Sequence, residues 1–190
     1  MKTISEKNGW KFMTAKIEVL TVEQIQAVGA AFGRHAQGGD LLMLNGPLGA
    51  GKTTMTQGIA QGIGVNAKIS SPTFVIAQNY AGAAGVDLVH VDAYRLDSLA
   101  ELDALDLDSS LDAALTVVEW GAGKVEVLSA DRIELTIKRP QGAAAGLEPA
   151  DLDADAPRTL LAVAYGERGK QYLEAVLADT DVAALMSYEN

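Results

Sequence analysis

The stretch GPLGAGKTT, residues 46–54, constrains this chain more than any other part of its sequence. Gly46 is followed after four residues by Gly-Lys-Thr, which is the spacing of a loop that cradles nucleotide phosphates. The apolar run DLLMLNG before the loop predicts a buried strand, and the residues from Lys52 onward predict a helix. Because phosphate binding needs a strand, a glycine-rich turn and a helix in this order, we predict a nucleotide site in an α/β fold.

The residue types of the loop suit phosphate binding. Gly46, Gly49 and Gly51 let the backbone curve so that successive N–H groups face phosphate oxygens. Lys52 supplies a positive charge between the β and γ phosphates, and the Thr53 hydroxyl is a ligand for a bridging Mg²⁺. The chain is therefore predicted to bind a nucleoside triphosphate with its metal.

Two carboxylates at predicted strand ends are candidates for a further Mg²⁺ ligand. Asp92 ends the segment LVHVD, and Glu119 lies at the end of LTVVEW. A magnesium site of this kind takes a carboxylate from a strand next to the loop. Spacing leaves open which of the two binds the metal, directly or through water, and which orients the attacking water or couples to a mobile loop.

Several other polar and aromatic residues lie close to these carboxylates in the sequence. Ser71 and Thr73 precede a predicted strand, where their hydroxyls either sense the γ-phosphate or only close a proline turn. A single histidine in a strand is usually structural, so His90 receives no catalytic role. Arg95 either contacts phosphate or pairs with nearby acids. Trp120 is predicted to belong to the core or to give ring-stacking support, and not to read a substrate.

Composition narrows the domain organisation and the function classes. A chain of 190 residues with 48% apolar and 21% charged residues suits one domain with a hydrophobic core. We predict an N-terminal extension over residues 1–16 and one P-loop domain over residues 17–190. The net charge of −10 argues against direct nucleic-acid binding. No apolar run is long enough to span a membrane and no signal peptide is apparent. With the nucleotide loop, this predicts a cytoplasmic protein.

Hydrophobic periodicity predicts further elements of the fold. A helix begins after Thr21 as its cap, and the short connection between SPTFVIAQNY and VDLVHVD predicts antiparallel strands. The sheet is therefore predicted to be mixed. The remaining predictions are a helix within residues 98–114, a strand near one sheet edge in DRIELTIKRP, a loop over 141–157, a strand in RTLLAVAYG and one closing helix in RGKQYLEAVLADTDVAALM.

The ordered motifs GPLGAGKTT, SSPTF, HVDAYRL and VVEW resemble those of the TsaE family (also called YjeE), the ATPase subunit of bacterial tRNA threonylcarbamoyladenosine biosynthesis. The resemblance covers roughly residues 20–165. It implies a P-loop NTPase-like three-layer α/β domain with a mixed sheet, and ATP and Mg²⁺ as ligands. It also implies slow ATP hydrolysis and two partners, the threonylcarbamoyl transferase and its pseudo-enzyme companion, with tRNA met only indirectly.

The same resemblance implies roles for individual residues. Thr53 and Glu119 would be the Mg²⁺ ligands, and Lys52, Asp92 and Glu119 would be the residues needed for hydrolysis. The implied nucleotide-binding residues are Gly46, Leu48, Gly49, Ala50, Gly51, Lys52, Thr53, Thr54, Ser71, Thr73 and Arg158.

Two departures from the family pattern and two alternative functions remain open at this point. Pro47 replaces an acidic residue and removes one backbone N–H, and Ile25 replaces a threonine that contacts the nucleotide. A small-molecule or nucleotide kinase is one alternative, but its arginine-rich lid has no counterpart between Leu96 and Gly123, where Lys and Arg are absent. The other is a nucleotide-dependent binding module with incidental hydrolysis.

Overall fold

The computed structural model describes residues 2–7, 10–83, 85–96, 101, 112–139 and 156–186. The strands in these ranges are β1 Lys2–Lys7, β2 Trp10–Val19, β3 Leu41–Asn45, β4 Ala77–Tyr80, β5 Asp87–Asp92, β6 Ala114–Glu119, β7 Arg132–Lys138 and β8 Arg158–Tyr165. The helices in these ranges are α1 Val22–His35, α2 Lys52–Ile63, α3 Gly166–Ala178 and α4 Thr180–Met186. None of these helices is long and apolar enough to cross a membrane. The predicted helix in 98–114 and the predicted loop 141–157 lie largely outside the described residues.

The strands form one mixed sheet in the order β1-β2-β8-β7-β3-β6-β5-β4. The four strands β7, β3, β6 and β5 are parallel neighbours, and the remaining pairings are antiparallel. The antiparallel pairing of β4 with β5 confirms the prediction from their short connection. The α/β fold with a mixed sheet is therefore confirmed, and β3, which leads into the glycine-rich loop, lies inside the sheet.

The position of β7 corrects the prediction that this strand lies near an edge. It lies between β8 and β3 in the interior of the sheet. Ile133, Leu135 and Ile137 are fully buried and alternate with partly exposed residues. Alternation of buried and exposed residues shows only that one face of a strand is exposed to solvent. An interior strand with one exposed face has the same pattern as an edge strand.

Strand β2 crosses the predicted boundary between residues 16 and 17. It pairs along its length with β8, with Met13 opposite Ala164 and Ile17 opposite Leu160. Its inward residues Met13, Ala15 and Ile17 are buried in the main core. Residues 10–16 therefore belong to the same sheet as residues 17–19, while the division of the chain into an extension and a domain stays a prediction.

The two faces of the sheet are covered by different parts of the chain. One face packs against all of the described helices, which contribute Phe32, Met55, Leu173 and Val182 to a single apolar cluster. The other face carries a smaller cluster and is covered, among the described residues, by segments that include the short 3-10 turns Ala93–Arg95 and Glu126–Leu128. Strands β3, β5 and β6 are therefore buried on both sides.

Helices α1 and α2 pack through glycines at positions where the two backbones touch. A Cβ at Gly29 or Gly33 of α1 would lie 2.4 or 2.2 Å from a carbonyl oxygen of α2. A Cβ at Gly58 or Gly62 of α2 would lie 2.2 Å from a carbonyl oxygen of α1. Because α2 begins at Lys52, this close contact with α1 helps to fix the position of Lys52.

The closing segment forms two helices where the sequence predicted one. Asp179 separates them with an extended backbone, φ −61° and ψ 138°. Its carboxylate accepts hydrogen bonds from the Asp181 N–H at 3.1 Å and from Arg34 at 3.0 and 2.7 Å. Apolar periodicity continues across this break, so the break was not visible in the pattern. The single closing helix was therefore a wrong prediction.

Asp179→Asn is expected to lower stability by about 1 kcal/mol at neutral pH, because Arg34 loses an anionic partner at a partly exposed site. The Arg34 hydrogen bonds hold the pKa of Asp179 below its ordinary 3.8, although burial opposes them. Its stabilising contribution is therefore complete above about pH 4 to 5 and is lost as pH falls through the lowered pKa. Thermal melts at pH 7 and pH 3 test this expectation.

The matched control for this change is Asp181→Asn, which removes a more exposed contact to the same arginine. We expect this variant to lose less stability at pH 7 than Asp179→Asn does. Equal melting temperatures for Asp179→Asn and the unchanged protein at pH 7 would contradict the prediction.

Candidate nucleotide-binding site

A cleft of about 370 Å³ opens at the edge of the sheet where β3, β5 and β6 end. These strands are parallel, and ligands of α/β proteins bind outside the carboxyl ends of such strands. The cleft is lined by Leu48, Gly49, Ala50, Gly51, Lys52, Thr53, Thr54, Ser71, Thr73, Asp92, Glu119 and Trp120. The structure therefore brings the loop, both candidate carboxylates and the two candidate hydroxyls to one place.

The loop between β3 and α2 adopts a shape that depends on its glycines. The φ angles are 148° at Gly46, 69° at Gly49 and 106° at Gly51, values that other residues rarely adopt. A Cβ at Gly46 would also lie 2.6 Å from the Ile137 carbonyl oxygen. Pro47 is compatible with this turn, since its carbonyl accepts the Ala50 N–H at 3.2 Å.

The ammonium group of Lys52 lies inside the loop. Lys52 is only 5% exposed, and its Nζ donates hydrogen bonds to the carbonyls of Gly46 at 3.0 Å and Pro47 at 3.1 Å. The same Nζ lies 3.9 Å from the ring centroid of Trp120. Burial lowers the pKa of Lys52 below its ordinary 10.5, while the charges of Glu119 and Asp92 partly offset this effect. The site therefore holds a poorly hydrated cation, which an anionic phosphate would stabilise.

Thr53 and Glu119 meet directly at the bottom of the cleft. The Thr53 hydroxyl donates to Oε1 of Glu119 at 3.0 Å. Neighbouring oxygens around an octahedral Mg²⁺, each at about 2.0–2.1 Å from the ion, lie about 2.9 Å apart. This pair of oxygens therefore fits a magnesium site, and the donor set of one hydroxyl and one carboxylate is of the type that Mg²⁺ prefers.

Asp92 contacts the loop that carries Ser71 and Thr73. Its Oδ2 accepts hydrogen bonds from Thr73 at 2.5 Å and from Ser71 at 3.3 Å, and its Oδ1 accepts the Tyr94 N–H at 3.0 Å. The structure thus separates the two carboxylates that spacing left equivalent. Glu119 is within hydrogen-bond distance of Thr53, whereas Asp92 bonds to both hydroxyls of the predicted switch-like loop.

Aromatic side chains lie next to residues that line the cleft. Tyr94 and Trp120 meet edge to face at 5.5 Å between ring centroids. Phe74 is 87% exposed, and the Arg95 guanidinium lies 5.6 Å from its ring centroid. Trp120 has φ 59°, uncommon for a side chain of its size, and this conformation accompanies its contact with Lys52. Trp120 therefore lines the cleft and contacts Tyr94 and Lys52 there, and it belongs to neither of the two apolar clusters of the described residues.

Arg158 and Ile25 lie beneath the loop. Arg158 is 2% exposed, and its Nε donates to the Ala50 carbonyl at 3.1 Å. A Cβ at Gly51 would lie 3.3 Å from the Ile25 side chain, which is fully buried. Both residues thus support the loop from the side of the core. The predicted contact of Arg158 with the nucleotide itself stays a prediction.

Sequence reasoning missed one arginine at the loop. Arg139 follows β7, and its Nη1 donates to the Gly49 carbonyl at 3.3 Å. The signal for it was the end of a strand parallel to β3, because such strands end at the same edge of the sheet.

The part of the chain that forms the cleft matches a known protein family. The family model described as "Threonylcarbamoyl adenosine biosynthesis protein TsaE" matches residues 19–145 of the chain. This range includes every residue that lines the cleft.

Individual proteins show the same similarity. The "tRNA threonylcarbamoyladenosine biosynthesis protein TsaE" of Streptomyces coelicolor is 50% identical over 120 residues, which cover 62% of this chain and 81% of that protein. The protein of the same description from Bacillus subtilis is 36% identical over 125 residues, which cover 65% and 77%. The crystal structure of Bacillus subtilis YdiB superposes with a TM-score of 0.67 at 29% identity and covers 86% of this chain and 93% of that one.

Proposed function

The chain belongs to the family of the threonylcarbamoyl adenosine biosynthesis protein TsaE, and on this premise we propose that it is a P-loop ATPase that supports N6-threonylcarbamoyladenosine modification of tRNA. It binds ATP with Mg²⁺ in the cytoplasm and hydrolyses it slowly. It acts on a complex of the threonylcarbamoyl transferase and a pseudo-enzyme companion. The net charge of −10 supports an indirect relation to tRNA, because tRNA-binding surfaces carry clustered Lys and Arg.

The observation that carries this proposal is the contact between Thr53 and Glu119 beside the buried ammonium of Lys52. Together these groups offer a cation for phosphate oxygens and an oxygen pair for a metal, at the start of helix α2. The first N–H groups of a helix and its dipole also favour an anion at this position. A triphosphate with its metal satisfies all of these features at once.

Each of these side chains has a defined task in the proposed reaction. Lys52 leaves the carbonyls of its own loop and binds oxygens of the β and γ phosphates. Thr53 and Glu119 would hold the metal, Glu119 directly or through water. Mg²⁺ held there would supply positive charge against the negative charge that develops on the phosphates.

Asp92 links the reacting phosphate to the segment Ser71–Phe74 in this proposal. Its hydrogen bonds to Ser71 and Thr73 tie the loop to the end of β5. Arrival of a γ-phosphate gives these hydroxyls a competing acceptor, which frees Asp92 to orient the attacking water. The loop thereby reports the state of the nucleotide, as switch segments of other P-loop proteins do.

The composition of the cleft supports slow hydrolysis by the isolated protein. Among the described residues that line the cleft, Lys52 is the only cation. Supplying an arginine to a P-loop site accelerates phosphoryl transfer by about 10³–10⁵-fold. Completion of the site by the partner complex, or movement of Arg95 toward it, therefore raises the rate.

Phosphate release from ATP tests the proposal, measured for the protein alone and with the transferase and its companion. We expect a slow basal rate that rises with the partners and that falls by on the order of 10²-fold or more in Glu119→Gln. The matched control is Glu174→Gln, the same change on the exposed surface of α3, which leaves the rate unchanged. A partner-independent rate, or transfer of phosphate to a small acceptor, would instead indicate a kinase.

A further inference from the structure

His90 is fully buried in the middle of β5 and contacts Glu119. Its relative exposure is 0%, and its Nε2 lies 3.0 Å from Oε1 of Glu119. In the sheet His90 pairs with Val117, two residues before Glu119 on the parallel strand β6. Val117 and Leu88 belong to the cluster on the helix side of the sheet, and the two-residue period of a strand places His90 and Glu119 on that side as well.

The two ring nitrogens of His90 have different surroundings. Nδ1 is buried and has no hydrogen-bond partner among the described residues. A proton on Nδ1 would be an unsatisfied buried donor, whereas a proton on Nε2 is accepted by a carboxylate. The surroundings of the ring therefore favour a proton on Nε2, which donates a hydrogen bond to Glu119.

Oε1 of Glu119 consequently receives two donors, the Thr53 hydroxyl and the His90 ring. Thr53 lies at the start of α2 and His90 inside the sheet, so the carboxylate is held between two elements. One of its oxygens is fixed in position, and the same carboxylate lines the cleft. Hydrogen-bond partners of this kind orient the groups that ligate a metal.

We propose that His90 is a positioning residue of the metal site, which orients the carboxylate of Glu119 through an Nε2–H hydrogen bond so that it can hold Mg²⁺ beside Thr53. The inference rests on the proposed function, because Glu119 must be a metal ligand for its orientation to matter. Partners in this second layer around a metal alter metal affinity by about 10–100-fold when they are removed.

Binding of Mn²⁺ to the ADP complex, followed by electron paramagnetic resonance, tests the inference without hydrolysis. Mn²⁺ takes the same oxygen ligands as Mg²⁺. We expect His90→Leu to weaken Mn²⁺ binding by about 10–100-fold and to leave ADP affinity in EDTA unchanged. His90→Gln places an amide N–H near the position of Nε2 and should restore most of the affinity.

The second histidine of the chain provides the matched control. His35, at the end of α1, contacts Asp179 and is not one of the described residues that line the cleft, so His35→Gln should bind Mn²⁺ as the unchanged protein does. Unchanged Mn²⁺ affinity in His90→Leu, or equal losses of Mn²⁺ affinity in His90→Leu and His90→Gln, would overturn the role of His90. Neither outcome would contradict the proposed function. If Mn²⁺ does not bind to the ADP complex of the unchanged protein, the metal site of the proposed function and this inference both fall.

Nitrogen NMR of the unchanged, ¹⁵N-histidine-labelled protein gives a second test that no folding defect can affect. The chain has only two histidines, so His35→Gln identifies the signals of His90. We expect the signals of a ring protonated on Nε2. A ring protonated on Nδ1 alone cannot donate to Glu119 and would contradict the inference.

Discussion

Lys52→Met is expected to abolish ATP hydrolysis and, at the same time, to raise the melting temperature of the nucleotide-free protein. The first effect follows because Lys52 is the only cation among the described residues that line the cleft. Removing one preorganised charge stabiliser from an active site lowers the rate by on the order of 10²–10³-fold. Methionine keeps an unbranched side chain of similar length in the loop.

The second effect follows from the burial of the ammonium group. Burial lowers the pKa of Lys52 from 10.5, so the folded protein binds this proton less tightly than the unfolded chain does. The cost of burying the charge is complete at pH values below the lowered pKa and disappears as pH rises through it toward 10.5. Methionine removes this cost, and water can solvate the carbonyls of Gly46 and Pro47, which are not buried.

Phosphate release, ADP binding by calorimetry and thermal melts at neutral pH measure the two effects together. Lys68→Met, a change at an exposed lysine, is the control and should alter neither the rate of hydrolysis nor the melting temperature. Opposite changes in activity and stability exclude unfolding as the cause of lost hydrolysis. Hydrolysis within tenfold of the unchanged rate, or a lower melting temperature, would count against the assigned role of Lys52.

Gly58→Ala is expected to destabilise the protein by about 1–3 kcal/mol or more, the usual range for overpacking. The added methyl group would lie 2.2 Å from the Gln26 carbonyl oxygen and 2.8 Å from its Cα, both of which are backbone atoms of α1. Backbone atoms cannot turn away as a flexible side chain can. Helices α1 and α2 must therefore separate, although alanine alone favours a helix over glycine.

Chemical denaturation measures this loss, and Gln61→Ala on the exposed side of the same helix is the control. We expect no loss of stability for the control, because alanine raises helix propensity and displaces nothing there. Since α2 begins with Lys52 and Thr53, Gly58→Ala should also weaken ADP binding. A stability equal to that of the unchanged protein would show that the helix contact is looser than these distances indicate.

The sequence by itself determined the features that depend on neighbouring residues. The loop glycines have positive φ because a tight turn requires it, and this requirement is readable within nine residues. Thr21 accepts the Gln24 N–H as the cap of α1, and Gly64 ends α2 in the left-handed conformation, both as local patterns predict. Short apolar runs likewise identified β3, β5 and β6, because a strand buried on both faces is apolar along its length wherever it lies in the sheet.

Strand order and side-chain partners were decided only by tertiary structure. Thr53 and Glu119 are separated by 66 positions, and no spacing rule distinguishes Glu119 from Asp92. The two carboxylates differ in their partners because β6 lies beside β3 and β5 lies beside β6. Tertiary structure also decided the interior position of β7, the break at Asp179 and the contact of His90 with Glu119. Each depends on which distant segments pack together, and periodicity and backbone preferences carry no information about that choice.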